Sequence, residues 1–131
     1  MQRLIIEPAH PHSLNDIIEA AKKHWGAYSK EKRARTIATA LLARVQKLKP
    51  VLSPPMVRII FFQPNKRTEK DNLCCNSKWI LDSLVEAGVL LDDRWDNYTD
   101  LEFRFRIDKE RPRIEVELIE PPHASQKEET S

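Results

Sequence analysis

Four acidic side chains lie in two short segments on either side of one helical pattern. Glu69 and Asp71 lie at its start, and Asp92 and Asp93 follow it. Mg²⁺ binds few protein carboxylates, keeps several waters and takes phosphate oxygens into its remaining positions. Carboxylates from two such segments would therefore suit a Mg²⁺ site for phosphodiester hydrolysis. The same residue types are also ordinary capping groups at a helix start, and spacing alone leaves both interpretations open.

The helical pattern between these segments predicts a helix from about Asp71 to Ala87. At about 100° per residue its polar stripe contains Asp71, Cys75, Lys78 and Asp82. Its apolar stripe, which we expect to face the core, contains Leu73, Ile80, Leu81 and Leu84. Lys78 would supply a cation for the charge that builds on a phosphate in the transition state. A solvated surface lysine is the alternative.

Basic residues form two clusters, although the net charge of the chain is only +2. The first cluster contains Lys30, Lys32 and Arg33, and the second contains Lys66, Arg67 and Lys70. Blocks of opposite sign in a nearly neutral chain suit a protein that holds both phosphates and cations. We interpret both clusters as candidate DNA contacts, with an ordinary solvated surface as the alternative.

The elements that must position these residues follow from apolar periodicity. Strands are predicted at Arg3–Glu7, Met56–Phe62, Asp100–Ile107 and Arg113–Ile119, and helices at about 13–25, 29–48 and 71–87, with Gly26 as a break. The turn-forming residues Asp108–Pro112 favour a hairpin between the last two strands. This order predicts an α+β fold in one domain, with a mixed sheet of about four strands and helices packed on one face.

Composition excludes several classes of protein. No run approaches the roughly 20 apolar residues of a membrane helix, and the N-terminus has no signal-peptide pattern, so we expect a cytoplasmic protein with no membrane partner. The adjacent cysteines, Cys74 and Cys75, are expected to be free thiols, because a disulfide between neighbours is strained. Residues 121–131 form a polar tail with no pattern of a packed element.

Three segments together resemble the RusA family of Holliday-junction resolvases. The first is Lys66-Arg67-x-Glu69-Lys70-Asp71-Asn72-Leu73; the second is the helix from Lys78 that ends in Ala87-Gly88; the third is Leu91-Asp92-Asp93. They look like the family's D-x-D-N motif, its lysine-bearing helix and its acidic pair. The similarity extends more weakly over residues 1–120, which we assign to one RusA-like endonuclease domain.

The resemblance implies a homodimeric endonuclease that cleaves Holliday junctions or related branched DNA, by attack of a metal-activated water on a phosphodiester. It implies that Glu69, Asp71 and Asp93 bind Mg²⁺, or Mn²⁺ in its place, with Asp92 as a further ligand. Lys78 matches the family's catalytic lysine, and Asp71 and Asp93 are the other implied catalytic residues. Glu69 departs from the family, which has aspartate there, and its extra methylene moves the carboxylate by about 1 Å.

Two further hypotheses compete with a nuclease. One is a catalytically weak protein that binds branched DNA, for which Glu69 would mark lost activity. The other is an α+β interaction module whose carboxylates only cap a helix. Two weaker signals are His10-x-His12, as a metal or DNA contact or plain surface, and Trp79, which we expect in the core or a dimer interface rather than against a DNA base.

Overall fold

The computed structural model describes residues 1–7, 25–92 and 94–121, and only the backbone of residues 25–31. Its elements in chain order are β1 (Gln2–Ile6), α1 (Trp25–Val45), β2 (Met56–Gln63), α2 (Lys70–Cys74), α3 (Ser77–Glu86), a 3₁₀ turn (Trp95–Asn97), β3 (Asp100–Ile107) and β4 (Arg113–Ile119). The predicted helix from about Ser13, the His10-x-His12 loop and the end of the tail lie outside the described residues.

The four strands form one mixed sheet in the order β1-β4-β2-β3. Strand β4 is antiparallel to both of its neighbours, whereas β2 and β3 are parallel. Alternate residues share a face, and one row of this core face is Leu4, Val116, Ile59 and Phe103. The helices pack on this face through buried residues such as Leu73, Ile80 and Leu84. The predicted α+β fold, with helices on one face of a mixed sheet, is confirmed.

The predicted hairpin is wrong, although both of its strands are present. Strand β2 lies between β3 and β4, so the five residues 108–112 cross the end of β2 instead of forming a hairpin turn. The Asp108 N–H donates to the Gln63 carbonyl, 2.8 Å away, which fixes the start of this crossing. The consequence for function is that the ends of β2 and β3, and not those of β3 and β4, lie side by side.

Two helix boundaries also differ from the prediction. Gly26 lies inside α1 and does not break the chain there. The helix predicted from Asp71 to Ala87 is divided at Cys75 and Asn76, both of which keep right-handed helical φ and ψ. The buried Asn76 side chain donates to the Leu73 carbonyl at 2.7 Å and accepts from the Trp79 indole at 2.9 Å. The predicted apolar stripe is buried in spite of the division.

The second face of the sheet carries a row of alternating charge. Strand register aligns Arg3, Glu117, Arg58 and Glu102 across all four strands. Glu117, only 6% exposed, is contacted by the Arg3 guanidinium at 2.7 Å and the Arg58 guanidinium at 3.0 Å. We call these four residues the charged row. Each carboxylate in it is balanced within the sheet.

In the part of the chain that the structure describes, no helix has the length and apolar character needed to cross a membrane.

Candidate functional site

A groove opens where the parallel strands β2 and β3 end together. Register pairs Gln63 with Ile107 at this edge, and the groove is also lined by Asn65, Lys66, Thr68, Glu69 and the start of α2. The cavity has a volume of about 840 Å³. Its charged lining residues are Lys66, Glu69, Lys70, Asp71 and Arg106. The groove therefore brings two acidic and three basic residues to one concavity, where Arg106 shares its face of β3 with Glu102 and its guanidinium donates to the Phe105 carbonyl at 2.9 Å.

Both carboxylates of the groove are exposed to solvent. The Asp71 carboxylate accepts the N–H of Asn72 at 3.0 Å. Among the described residues, no lysine or arginine forms an ion pair with Glu69 or Asp71. The carboxylates are thus open to a cation from solvent.

Burial of the Cys74 thiol and the nearby charge of Asp71 raise the pKa of that thiol, so it stays protonated and unreactive at neutral pH.

The cations of the groove come from two elements that sequence reasoning did not connect. Lys66 precedes Glu69, Lys70 lies between Glu69 and Asp71, and Arg106 comes from β3. The Lys70 ammonium lies 5.6 Å from the centre of the Phe105 ring, which holds it beside the strand end. Arg67, a predicted DNA contact, does not line the groove, and its backbone N–H donates to the Asn65 side chain at 2.9 Å.

The structure does not bring Asp92 into this groove. Its carboxylate accepts the Arg94 backbone N–H at 2.8 Å and the Asn97 side-chain amide, so it organises its own turn. That turn leads into the start of β3, where the Thr99 N–H donates to the Pro55 carbonyl at 2.8 Å, at the opposite end of β2. Asp93 lies outside the described residues.

Lys78 also lies outside the groove lining. Its ammonium is 3.3 Å from the Asp82 carboxylate, and its side chain is 60% exposed. Lys32 approaches the other oxygen of Asp82 at 3.6 Å, and Arg33 pairs with Glu86 at 2.9 Å. These two residues of the first basic cluster therefore connect α1 to α3. The side chain of Lys30 is not described.

The groove offers few of the donors that a metal ion needs. In residues 1–7, 25–92 and 94–121, no three histidine, cysteine or acidic side chains lie close enough together to hold a metal. Glu69 and Asp71 are nevertheless hard oxygen donors in one groove, and Mg²⁺ commonly uses one or two carboxylates together with waters and phosphate oxygens. Two such carboxylates are donors of the kind that a hydrated Mg²⁺ ion in contact with a phosphate uses.

Sequence reasoning missed the part of the groove that β3 supplies, namely Phe105, Arg106 and Ile107. The hairpin interpretation paired these residues with β4, whereas the structure pairs them with β2. Trp79 is 4% exposed, which confirms the prediction that it lies in the core and does not contact a DNA base. Trp95 is 91% exposed in the turn that Asp92 organises.

No protein-family model matches the sequence. No curated protein matches it at a significant level either. The resemblance to RusA nucleases thus depends on the residues Glu69, Asp71, Lys78, Asp92 and Asp93 and on their order in the chain.

Proposed function

We propose that this protein is a Mg²⁺-dependent endonuclease that cuts branched DNA such as a four-way junction. The observation that carries the proposal is the groove, where Glu69 and Asp71 lie among Lys66, Lys70 and Arg106. A site for phosphodiester hydrolysis needs carboxylates for a cation and cations for phosphates in the same place. The RusA-like order of residues supports the same function.

Each group of residues has a role in this proposal. Lys66, Lys70 and Arg106 bind phosphates and set the path of the DNA strand. Glu69 and Asp71 hold Mg²⁺, which when bound supplies Lewis-acid activation of the phosphodiester and of the attacking water. Asp92 and Asp93 are proposed as further ligands on the RusA-like order of residues alone, since Asp92 lies in a turn at the opposite end of β2 from the groove. Lys78, whose 60% exposed side chain also pairs with Asp82, is proposed to contact a phosphate.

The proposed protein acts as a homodimer. One chain presents one acidic pair, whereas symmetric cutting of a junction needs two such sites related by a two-fold axis. We expect sedimentation equilibrium to give the mass of a dimer at micromolar concentration. A monomer that retains full junction cleavage would contradict this part of the proposal.

A catalytically weak protein that binds branched DNA is the second candidate. It is favoured by one observation: among the described residues, no third acidic side chain joins Glu69 and Asp71. Such a protein would prefer a junction over a duplex but would leave it uncut.

The experiment that separates these functions uses a synthetic four-way junction and a linear duplex of the same sequence. With Mg²⁺ we expect the purified chain to cut the junction and leave the duplex intact, and with a chelator we expect binding alone. Binding without cutting in Mg²⁺ and in Mn²⁺ would establish the second candidate. Equal weak affinity for both DNAs would exclude both and favour the interaction module.

A further inference from the structure

The floor of the groove is apolar, although its rim is charged. Leu73 is 2% exposed, Phe105 is half-buried and Ile107 is 48% exposed, and all three line the cavity. The Phe105 ring packs against Phe61, with 5.9 Å between ring centres, so its position is set by the core. A large apolar side chain left half-exposed in a concave surface is typical of a binding site.

Phosphate groups alone do not account for this floor. Phosphates are bound by cations and N–H groups, and an apolar surface does not bind them. A nucleobase has two apolar planar faces, and it stacks on aromatic and apolar side chains once it leaves the duplex stack. The cavity of about 840 Å³ also lies within the usual range for small-ligand sites.

Two further features suit a nucleotide rather than an apolar ligand. The Lys70 ammonium lies over the Phe105 ring, 5.6 Å from its centre, so a base that displaces it from the ring would have its own phosphate beside a cation. Gln63 and Asn65 line the same cavity, and the Asn65 amide oxygen also accepts the Arg67 N–H. Their amide groups both donate and accept hydrogen bonds, as the polar edge of a base requires.

We propose that the groove holds one unstacked nucleobase of a DNA strand, with the flanking phosphates on Lys66, Lys70 and Arg106. This inference depends on the proposed function, because it takes DNA as the ligand. It favours DNA from which a nucleotide can leave the stack, as at the branch point of a junction, over an intact duplex, whose bases stay stacked inside.

The test compares two short single strands with equal numbers of phosphates, one of thymidine nucleotides and one of abasic nucleotides. Binding is measured by fluorescence anisotropy in a chelator, so that neither a metal nor cleavage contributes. Repulsion by Glu69 and Asp71 acts on both ligands and cancels in the ratio of affinities. We expect the thymidine strand to bind roughly 5- to 150-fold more tightly, the usual range for one stacked base.

Ile107→Asn should remove most of this preference, because a polar side chain replaces part of the apolar floor. Leu52→Asn is the matched control, since Leu52 is 94% exposed at the opposite end of β2. Equal binding of the two strands by the wild type would overturn the inference, as would an unchanged ratio in Ile107→Asn. If Ile107→Asn does not melt cooperatively, Ile107→Thr provides the same comparison, because threonine keeps a β-branched side chain suited to a strand and still adds a polar group to the floor.

Junction cleavage in Mg²⁺ is measured in parallel and separates the two proposals. A preference for bases without cleavage would refute the nuclease and keep the base site. Cleavage without a preference for bases would keep the nuclease and refute the base site.

Discussion

The groove and the charged row use the same kinds of side chain in opposite ways. In the charged row, register places Glu117 between Arg3 and Arg58, and Glu102 lies 3.6 Å from Arg58 on the other side. In the groove, exposed carboxylates and cations lie close together without ion pairs to Glu69 or Asp71 among the described residues. The row neutralises its charges within the fold, whereas the groove presents them to solvent.

This difference predicts where a charge contributes to stability and where it contributes to function. Glu117 is buried, so its hydrogen bonds replace those it would make with water in the unfolded chain. Glu69 and Asp71 are hydrated in both states and contribute little to folding. Substitutions in the charged row should therefore change the free energy of unfolding, and substitutions in the groove should change the cleavage or binding of DNA.

The largest expected effect is on cleavage and concerns Glu69. Glu69→Gln should lower the Mg²⁺-dependent rate of junction cleavage by about a hundredfold or more, because a neutral amide is a poor ligand for a hard cation. Glu69→Asp should keep or raise the rate, and Mn²⁺ should help the wild type more than Glu69→Asp. The measurement is single-turnover cleavage in each metal. Similar rates for all three proteins would remove Glu69 from the metal site.

The next effect is on stability and concerns the charged row. Glu117→Gln should lower the free energy of unfolding by about 1–3 kcal/mol, because two guanidinium groups lose a buried charged acceptor. Asp71→Asn should change it by less than about 1 kcal/mol. Urea unfolding of both variants gives these values. Equal losses would show that the two regions are not used differently.

Low pH should also reduce the free energy of unfolding, in part through the charged row. Burial alone would raise the pKa of Glu117, but hydrogen bonds from Arg3 and Arg58 outweigh it and hold the pKa below the ordinary 4.5. A hydrogen bond from Arg113 holds the pKa of Asp108 below its ordinary 3.8. Lowered folded-state values mean that the unfolded chain takes up protons first. This stabilisation is present above about pH 4.5 and is lost as the pH falls through the folded values.

The check is a series of urea unfolding experiments from neutral pH to about pH 3. Glu117→Gln should show a shallower loss of stability with acid than the wild type, since it lacks that titrating group. The same slope in both proteins would exclude Glu117 as a source of acid sensitivity.

The smallest expected effect distinguishes a lysine in the groove from a lysine outside it. Lys66→Ala should weaken junction binding and reduce the slope of log affinity against log salt concentration by about 0.9, because one phosphate contact is lost. Lys32→Ala should leave that slope unchanged and cost at most about 1 kcal/mol of stability, since Lys32 pairs with Asp82. Anisotropy titrations over a range of salt concentrations measure both slopes. An equal reduction by Lys32→Ala would return the first basic cluster to the DNA interface.

Most of the fold could be predicted from the sequence, because alternation and helical spacing are local patterns. They located all four strands, and they identified the buried stripe of Leu73, Ile80 and Leu84. Alternation tells which face a residue occupies but not which strand lies beside it. The five residues between Ile107 and Arg113 are long enough either to turn back or to cross the end of β2, so the order of the sheet was not fixed locally.

For the candidate site as well, only the residues that are close in sequence could be predicted together. Glu69, Asp71, Lys66 and Lys70 are close in sequence, and the groove keeps them together. Arg106 and Ile107 join them only through the parallel pairing of β2 with β3, which no local pattern encodes. Likewise, the pairing of Lys32 with Asp82 depends on how α1 packs on α3, and a cluster of basic residues in sequence does not reveal it.

Asp71 provides the most direct test of the central claim, that the groove is a Mg²⁺-dependent site for cutting branched DNA. Cleavage and binding of a four-way junction are measured for wild type, Asp71→Asn and the control Asp96→Asn, which removes an exposed aspartate outside the groove. We predict that Asp71→Asn loses cleavage by about a hundredfold or more while its binding stays equal or becomes tighter, and that Asp96→Asn behaves as wild type. Undiminished cleavage by Asp71→Asn, or loss of binding in a variant that still melts cooperatively, would contradict the claim.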